Sequence, residues 1–147
     1  MQTMHRQTEA TLSPCLVKVE LEHLHIMWPL VVHWIDEAQS SSRYASTIDV
    51  FNAIVSREAQ LWVVWNNHKP GAVIVTQLHT SSKGKYCGIW ICVGEGRIDT
   101  QHLISELEQW AKSEGCAFMR HEARPGWSRV LKAYGYEMPH VILEKDL

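Results

Sequence analysis

The sequence predicts a single α/β domain in which a mixed sheet of about six or seven strands carries helices on both faces. Three observations predict it. Residues 60–93 alternate strand-forming runs with turn-forming clusters and read as an antiparallel meander. An amphipathic helix over about 100–114 separates the last of these strands from another strand. That βαβ unit requires two strands to run parallel. Two further helical stretches precede the meander, so helical faces are available to cover both sides of the sheet.

Residues 1–14 read as a loose polar arm and residues 15–147 as the one domain. The segment CLVKVELEHL begins with a strand-like alternation through Leu16, Val17, Val19 and Leu21. IMWPLVVHWIDEA then turns helical, with Leu24, Trp28, Val31, Val32, Ile35 and Ala38 at helical spacing. Proline lacks an N–H and its ring meets the carbonyl four residues back. The regular helix is therefore expected to start close to Pro29. QSSSRY breaks it. Ser46 is placed to cap a second helix, Thr47 to about Ser56, with Asp49 completing a variant capping box. Val50, Phe51, Ile54 and Val55 are expected to face inward.

QLWVVW opens the meander. NNHKPG follows as a turn, since Asn66, Asn67, Pro70 and Gly71 are all turn formers. AVIVTQLHT is the second strand, SSKGK the second turn, and YCGIWICV the third strand. In the long helix Leu103, Ile104, Leu107, Trp110 and Ala111 make one apolar stripe, and Gly115 stands at the C′ position. CAFMRHE is a strand, RPGWSRVLKAYGYE a short helix ending at Gly135, and HVILEKDL a last strand.

The 147 residues are 46% hydrophobic and 20% charged, the composition of an ordinary globular domain. A net charge of -2 gives no electrostatic reason to expect nucleic acid or an anionic membrane as partner. No apolar run approaches the roughly 20 residues of a membrane span. The polar start MQTMHRQTEATLSPC lacks the apolar stretch of a signal peptide, so an intracellular setting is expected. Cys15, Cys87, Cys92 and Cys116 are spaced too widely for a metal knuckle or redox pair and read as free thiols. The odd spacing of Cys87 and Cys92 is expected to turn them to opposite faces of their strand. His23 and His25 would share one side of a strand, but no third ligand accompanies them, and no metal site is expected.

The element order resembles that of the GNAT superfamily of N-acetyltransferases over roughly Leu16 to Leu143. The densest parts are LISELEQWAKSEGC, similar to the family's long helix and following turn, and GWSRVLKAYGYE, similar to its last short helix. More narrowly, QLWVVW, WAKSEGC and RPGWSRVLKAYGY resemble a group of small phage-encoded acetyltransferase-like proteins. The resemblance implies acetyl-coenzyme A in a splay between GIWICV and CAFMRHE, with its pantetheine amides against the backbone of Ile91, Cys92, Val93 and Gly94.

The pyrophosphate is then expected at the N-terminus of the long helix, where free N–H groups and the helix dipole favour anions. The family pattern there is Arg/Gln-x-x-Gly-x-Gly/Ala. Set on the helix, its positions fall on Glu95, Ile98 and Thr100, none of which matches. Asp99 puts a carboxylate between them, and Asp99 or Thr100 is a good helix cap. Gly94, Gly96 and Arg97 offer either a shifted anion nest or a plain turn. Acetyl-coenzyme A binding is accordingly expected to be weak or absent. Many family members carry a tyrosine four residues before the glycine that ends the short helix; here that residue is Leu131.

Other candidates stand at strand ends, where ligands of α/β sheets gather. Glu122 or His121 could serve an amine as general base. His79, Arg124 and Trp127 could wall a substrate pocket, Arg124 by holding an anion. Two functions follow. One is an acyl-coenzyme A-dependent N-acyltransferase acting on an amine. The other is a catalytically degenerate member of the fold that serves a phage particle or binds a host protein, placed in the host cytoplasm or in the virion.

Overall fold

The computed structural model describes residues 13–95, 101–123 and 125–147. One mixed sheet of five strands, in the order β1-β2-β3-β4-β5, forms the middle layer. Its strands are β1 (Cys15–Lys18), β2 (Ala59–Asn66), β3 (Lys69–Ser81), β4 (Gly84–Gly94) and β5 (Phe118–His121). The helices are α1 (Leu24–Ser40), α2 (Thr47–Val55), α3 (Gln101–Ser113) and α4 (Pro125–Lys132). β1 to β4 pair antiparallel in succession, and β4 pairs β5 parallel with α3 in the crossover, as the βαβ pattern requires.

α1 starts well before Pro29. A 3-10 turn over Leu21–His23 runs straight into Leu24, so proline stands inside the helix. Interior proline costs about 3 kcal/mol. What outweighs it here is packing: Leu24 is buried, Met27 packs on the same core, and the Trp28 ring meets Phe51 edge-on at 5.0 Å. α2 begins as expected, with Ser46 accepting from the Asp49 N–H and the Asp49 carboxylate accepting from the Ser46 N–H at 2.8 Å. Its inward residues are Val50, Ala53 and Ile54, with Phe51 half-buried against the same core; Val55 turns out to solvent. His23 and His25 lie on the turn and helix start, not on a strand.

The turn between β2 and β3 is tighter than the run of turn formers suggests. Asn67 and His68 alone make it, both with positive φ (52° and 67°), and Pro70 and Gly71 belong to β3. Both helices that follow the meander end in the same way. Gly115 (φ 86°) and Gly135 (φ 88°) take the left-handed conformation that glycine adopts without strain. Cys116 N–H then bonds Ala111 C=O at 3.0 Å and Tyr136 N–H bonds Leu131 C=O at 3.2 Å, closing two Schellman motifs.

Two cores result. α1 and α2 cover the face of Leu61, Val63, Val73, Val75 and Ile91. α3 covers the face of Trp62, Val64 and Ile74 through Leu103 and Leu107. In the second core the one buried polar residue among those described, Thr76, accepts from Trp62 Nε1 at 3.0 Å and donates to Gln60 Oε1 at 2.8 Å.

The expected last strand is absent, which leaves five strands among the described residues where about six or seven were anticipated. Residues 136–147 form no helix and pair in no ladder. Val141, Ile142 and Leu143 are consecutive, so no alternation gives them a single inward face, and they stand 67%, 56% and 89% exposed. The segment is held instead by its acids. Arg43 donates to Glu144 at 3.0 Å and to Asp146, and the Tyr44 hydroxyl donates to Glu144.

Candidate active site

The parallel pairing of β4 with β5 covers four rungs and ends at Ile89 opposite His121. β4 does not end there. It runs on to Gly94, paired only with β3. At the point of departure Thr76 pairs with Ile89 and Val75 with Ile91, so Trp90 is an extra residue, a β-bulge that bends the strand. Beyond it β4 has, among the described residues, no strand on the side that β5 leaves.

The direction of its backbone groups can be counted. Glu95 N–H bonds Gly71 C=O at 2.9 Å across β3. Alternation then turns Val93 and Ile91 toward β3, and Cys92 and Gly94 toward the vacated side. Within Ile91–Gly94 the donors and acceptors open to a ligand are therefore those of Cys92 and Gly94. Gly94 is also required by the sheet: a Cβ there would lie 2.4 Å from the Ala72 Cβ and 2.7 Å from the Gly71 carbonyl oxygen. Gly96, Arg97, Ile98, Asp99 and Thr100 lie outside the described residues, as does Arg124.

α3 is anchored at the same end of the sheet. His102, in its first turn, bonds the Pro14 carbonyl at 2.7 Å, and Pro14 precedes β1 at the end where β4 finishes.

The bulge also alters the thiols. Cys87 registers with Met119 and Cys92 packs with Leu103 and Leu107, so both face α3 rather than opposite sides. Trp90 has reversed the count between them. Burial raises the Cys92 thiol to about 11 and the Cys87 thiol to about 12, which keeps both protonated and unreactive at neutral pH. All four cysteines are unpaired.

His121 and Glu122 flank the mouth of the gap from opposite sides of the sheet. His121 registers with Ile89 and so faces α3, with the Trp127 ring of α4 at 5.9 Å. Its Nδ1 is buried without a hydrogen-bond partner among the described residues, and burial lowers its pKa, so the ring is a neutral base. Glu122 is exposed and pairs with Arg120 at 2.9 Å, on the other face. The Tyr44 phenol stands on that second side. Its hydrogen bond to Glu144 raises its pKa most, and the Glu122 carboxylate adds to the rise.

His79 does not reach the gap. It stacks on Tyr86 at 4.9 Å, and Tyr86 on Phe118 at 4.9 Å, beside the paired half of β4 and β5. Trp127 and His121 are thus brought together, while His79 is kept apart. Leu131, at the position of the family tyrosine, is buried. The nearby Tyr136 hydroxyl is also buried, and burial together with the Glu108 carboxylate pushes its pKa up. Sequence reasoning missed Trp90, because a bulge leaves no composition signal, and the Arg120–Glu122 pair, which the spacing of two residues along CAFMRHE could have suggested. Among the described residues no group of three or more His, Cys, Asp or Glu is placed to hold a metal ion, and no helix is long and apolar enough to cross a membrane.

The fold is that of the GNAT acetyltransferases. No family model and no curated protein matches the chain. Solved structures do. An acetyltransferase from Trypanosoma brucei superposes with a TM-score of 0.68 at 11% identity, covering 92% of this chain and 100% of its own. Glucosamine-6-phosphate N-acetyltransferase from Arabidopsis thaliana gives 0.64 at 15%, over 92% and 99%. A predicted acetyltransferase from Clostridium acetobutylicum, with acetyl-CoA, gives 0.64 at 14%, over 90% and 96%. Identities this low establish the shared fold alone.

Proposed function

We propose that the protein is an N-acyltransferase that passes an acyl group from coenzyme A to an amine in the gap between β4 and β5. The observation that carries this reading is the edge of β4 beyond Ile89, where Cys92 and Gly94 present backbone donors and acceptors with no strand opposite among the described residues. Such an edge fits the amides of a pantetheine arm, which pair with it as an added strand does. The first turn of α3 lies at the same end of the sheet. An acyl thioester supplies an activated carbonyl.

The chain supplies the rest. An edge N–H of Cys92 or Gly94 can polarise the carbonyl oxygen. As the C–N bond forms and the C–S bond breaks, the nitrogen must shed a proton. His121, whose Nδ1 has no partner among the described residues, accepts it better than Glu122, whose carboxylate Arg120 already holds. With Leu131 in place of a tyrosine, the departing sulfur takes its proton from water.

Support for an amine acceptor comes from the fold's neighbours, one of which is named for a glucosamine phosphate. A phage origin, a host-cytoplasmic or virion setting and an altered pyrophosphate loop complete the proposal. These rest on the likeness of QLWVVW, WAKSEGC and RPGWSRVLKAYGY to phage proteins and on Glu95, Ile98, Asp99 and Thr100 standing where the family pattern differs. Leu131 and the engaged Glu122 favour one second reading, a degenerate relative that binds a phage or host protein. Release of free thiol from acetyl-coenzyme A, measured against aminosugars, polyamines and peptide N-termini, separates the two. Turnover that falls at least tenfold in His121→Ala supports the enzyme. No turnover with any amine, together with no binding at millimolar acetyl-coenzyme A, supports the binder.

A further inference from the structure

His121 stands on the last rung that β5 shares with β4, with Ile89 beside it and Met119 two residues before it on the same face. Among the described residues no further rung covers it, because β4 leaves the pair at the Trp90 bulge. Its Nδ1 is nevertheless buried, without a hydrogen-bond partner among those residues. Its neighbours in the sequence do not supply the cover. Arg120 and Glu122 turn to the other face of the sheet and pair with each other at 2.9 Å. What lies against the imidazole is the indole of Trp127, at 5.9 Å and tilted by 57°.

α4 holds that indole in place. The helix begins at Pro125, four residues after His121 ends β5. Trp127 and Leu131 are four residues apart and so share one face of α4. Leu131 is buried, and its carbonyl accepts from the Tyr136 N–H at 3.2 Å in the turn that ends the helix. At Leu131 this face offers no acid; one turn nearer His121 it offers an aromatic wall. From this we infer that Trp127 is a positioning residue, whose indole holds the His121 imidazole against Ile89 and keeps water from it. A ring so covered resists taking a charge, and burial accordingly lowers its pKa. Among the described residues no charged side chain offsets that effect. Ile89 faces the ring from β4, α3 turns Leu103 and Leu107 to the same layer, and Arg120 and Glu122 point away. That His121 serves as the base rests on the function proposed above; that Trp127 holds it does not.

Histidine titration by NMR on the full chain tests it without any assay of turnover. His121→Gln identifies the His121 signal among the nine histidines by its loss. In the unaltered chain that signal is expected to titrate below the ordinary 6.5. Trp127→Ala and Trp127→Gln, which admit water to the ring, should bring it up to 6.5, and Trp127→Phe should keep it low. A value that stays low in the alanine and glutamine variants, with circular dichroism showing them folded, overturns the inference. So does a value of 6.5 in the unaltered chain. A second measurement needs no change at Trp127: nuclear Overhauser contacts between indole and imidazole protons are expected, and their absence also overturns it. In the thiol-release assay the acid limb of kcat/KM is expected to move with the His121 signal in Trp127→Ala. A limb that stays in place while the signal moves supports the hold of Trp127 on His121 and removes His121 as the base.

Discussion

Gly94 and Ala72 face each other across β4 and β3 so closely that a methyl group on Gly94 would lie 2.4 Å from the Ala72 Cβ. Backbone as well as side chain stands in the way, since the Gly71 carbonyl oxygen would be 2.7 Å from it. Gly94→Ala therefore forces the two strands apart at the end of the bare edge. A destabilisation of about 1–3 kcal/mol is expected, as for overpacking elsewhere. Urea melts of the two proteins measure it; equal midpoints would show that the strands yield without cost.

Trp62 and Thr76 allow a sharper test of the second core. Thr76→Val keeps the shape but removes the oxygen that accepts from Trp62 Nε1 and donates to Gln60. An indole N–H left buried without an acceptor costs about 1–3 kcal/mol. The same melts, with Trp62→Phe added, provide the check. In the Trp62→Phe background the penalty of Thr76→Val should shrink, and an unchanged penalty would assign it to something other than this bond.

The pH dependence of stability should carry the mark of His121. Its folded pKa lies below the ordinary 6.5 because the charged ring is desolvated. Above 6.5 the ring is neutral folded and unfolded, and contributes nothing to the difference. As pH falls from 6.5 toward the depressed folded value, the unfolded chain binds the proton first, so stability is lost across that window and levels off below it. His121→Gln is expected to flatten that part of the stability profile. If the proposed role as base is right, the acid limb of kcat/KM in the unaltered protein should also sit below pH 6.5 rather than at it.

Acetyl-coenzyme A is expected to bind with a Kd no tighter than about 100 μM, roughly 5.5 kcal/mol. The reason is Asp99, two residues before α3 in the sequence, whose carboxylate the resemblance sets beside the expected diphosphate. Calorimetry should show tighter binding for Asp99→Ala, and tighter still with Ile98→Gly and Thr100→Gly added. Tight binding by the unaltered chain would move the anion site to Gly94, Gly96 and Arg97.

Much of the fold could be read in the residues because local rules fix it. Ser46 and Asp49 cap α2, Gly115 and Gly135 end α3 and α4, and the run from the third meander strand through α3 dictates a parallel pair. Three features escaped because distant packing decides them. Pro29 ends up inside α1 since Leu24 and Trp28 have a core to enter. The tail 140–147 forms no strand since Arg43 and Tyr44 take its acids. The bulge at Trp90 is set by the pairing of β4 with β3. Of the candidate site, the resemblance pointed to the backbone of Ile91–Gly94, of which Cys92 and Gly94 turn to the vacated side, and the element ends pointed to His121 and Trp127, which lie together. That His121 and Glu122 point to opposite faces follows from simple alternation.

Trp90 makes β4 a strand of two phases. Before it Cys87 and Ile89 look toward α3; after it Cys92 does, while Ile91 and Val93 look toward α1. Loss of that one residue would not merely shorten the strand. Whichever half kept its pairing with β3, the other would rotate by a full alternation, carrying its apolar side chains to the opposite layer or sliding along β3 to avoid it. Insertion of one more residue would have the same effect. β4 should therefore tolerate changes in the kind of side chain at residue 90 far better than any change in its number of residues.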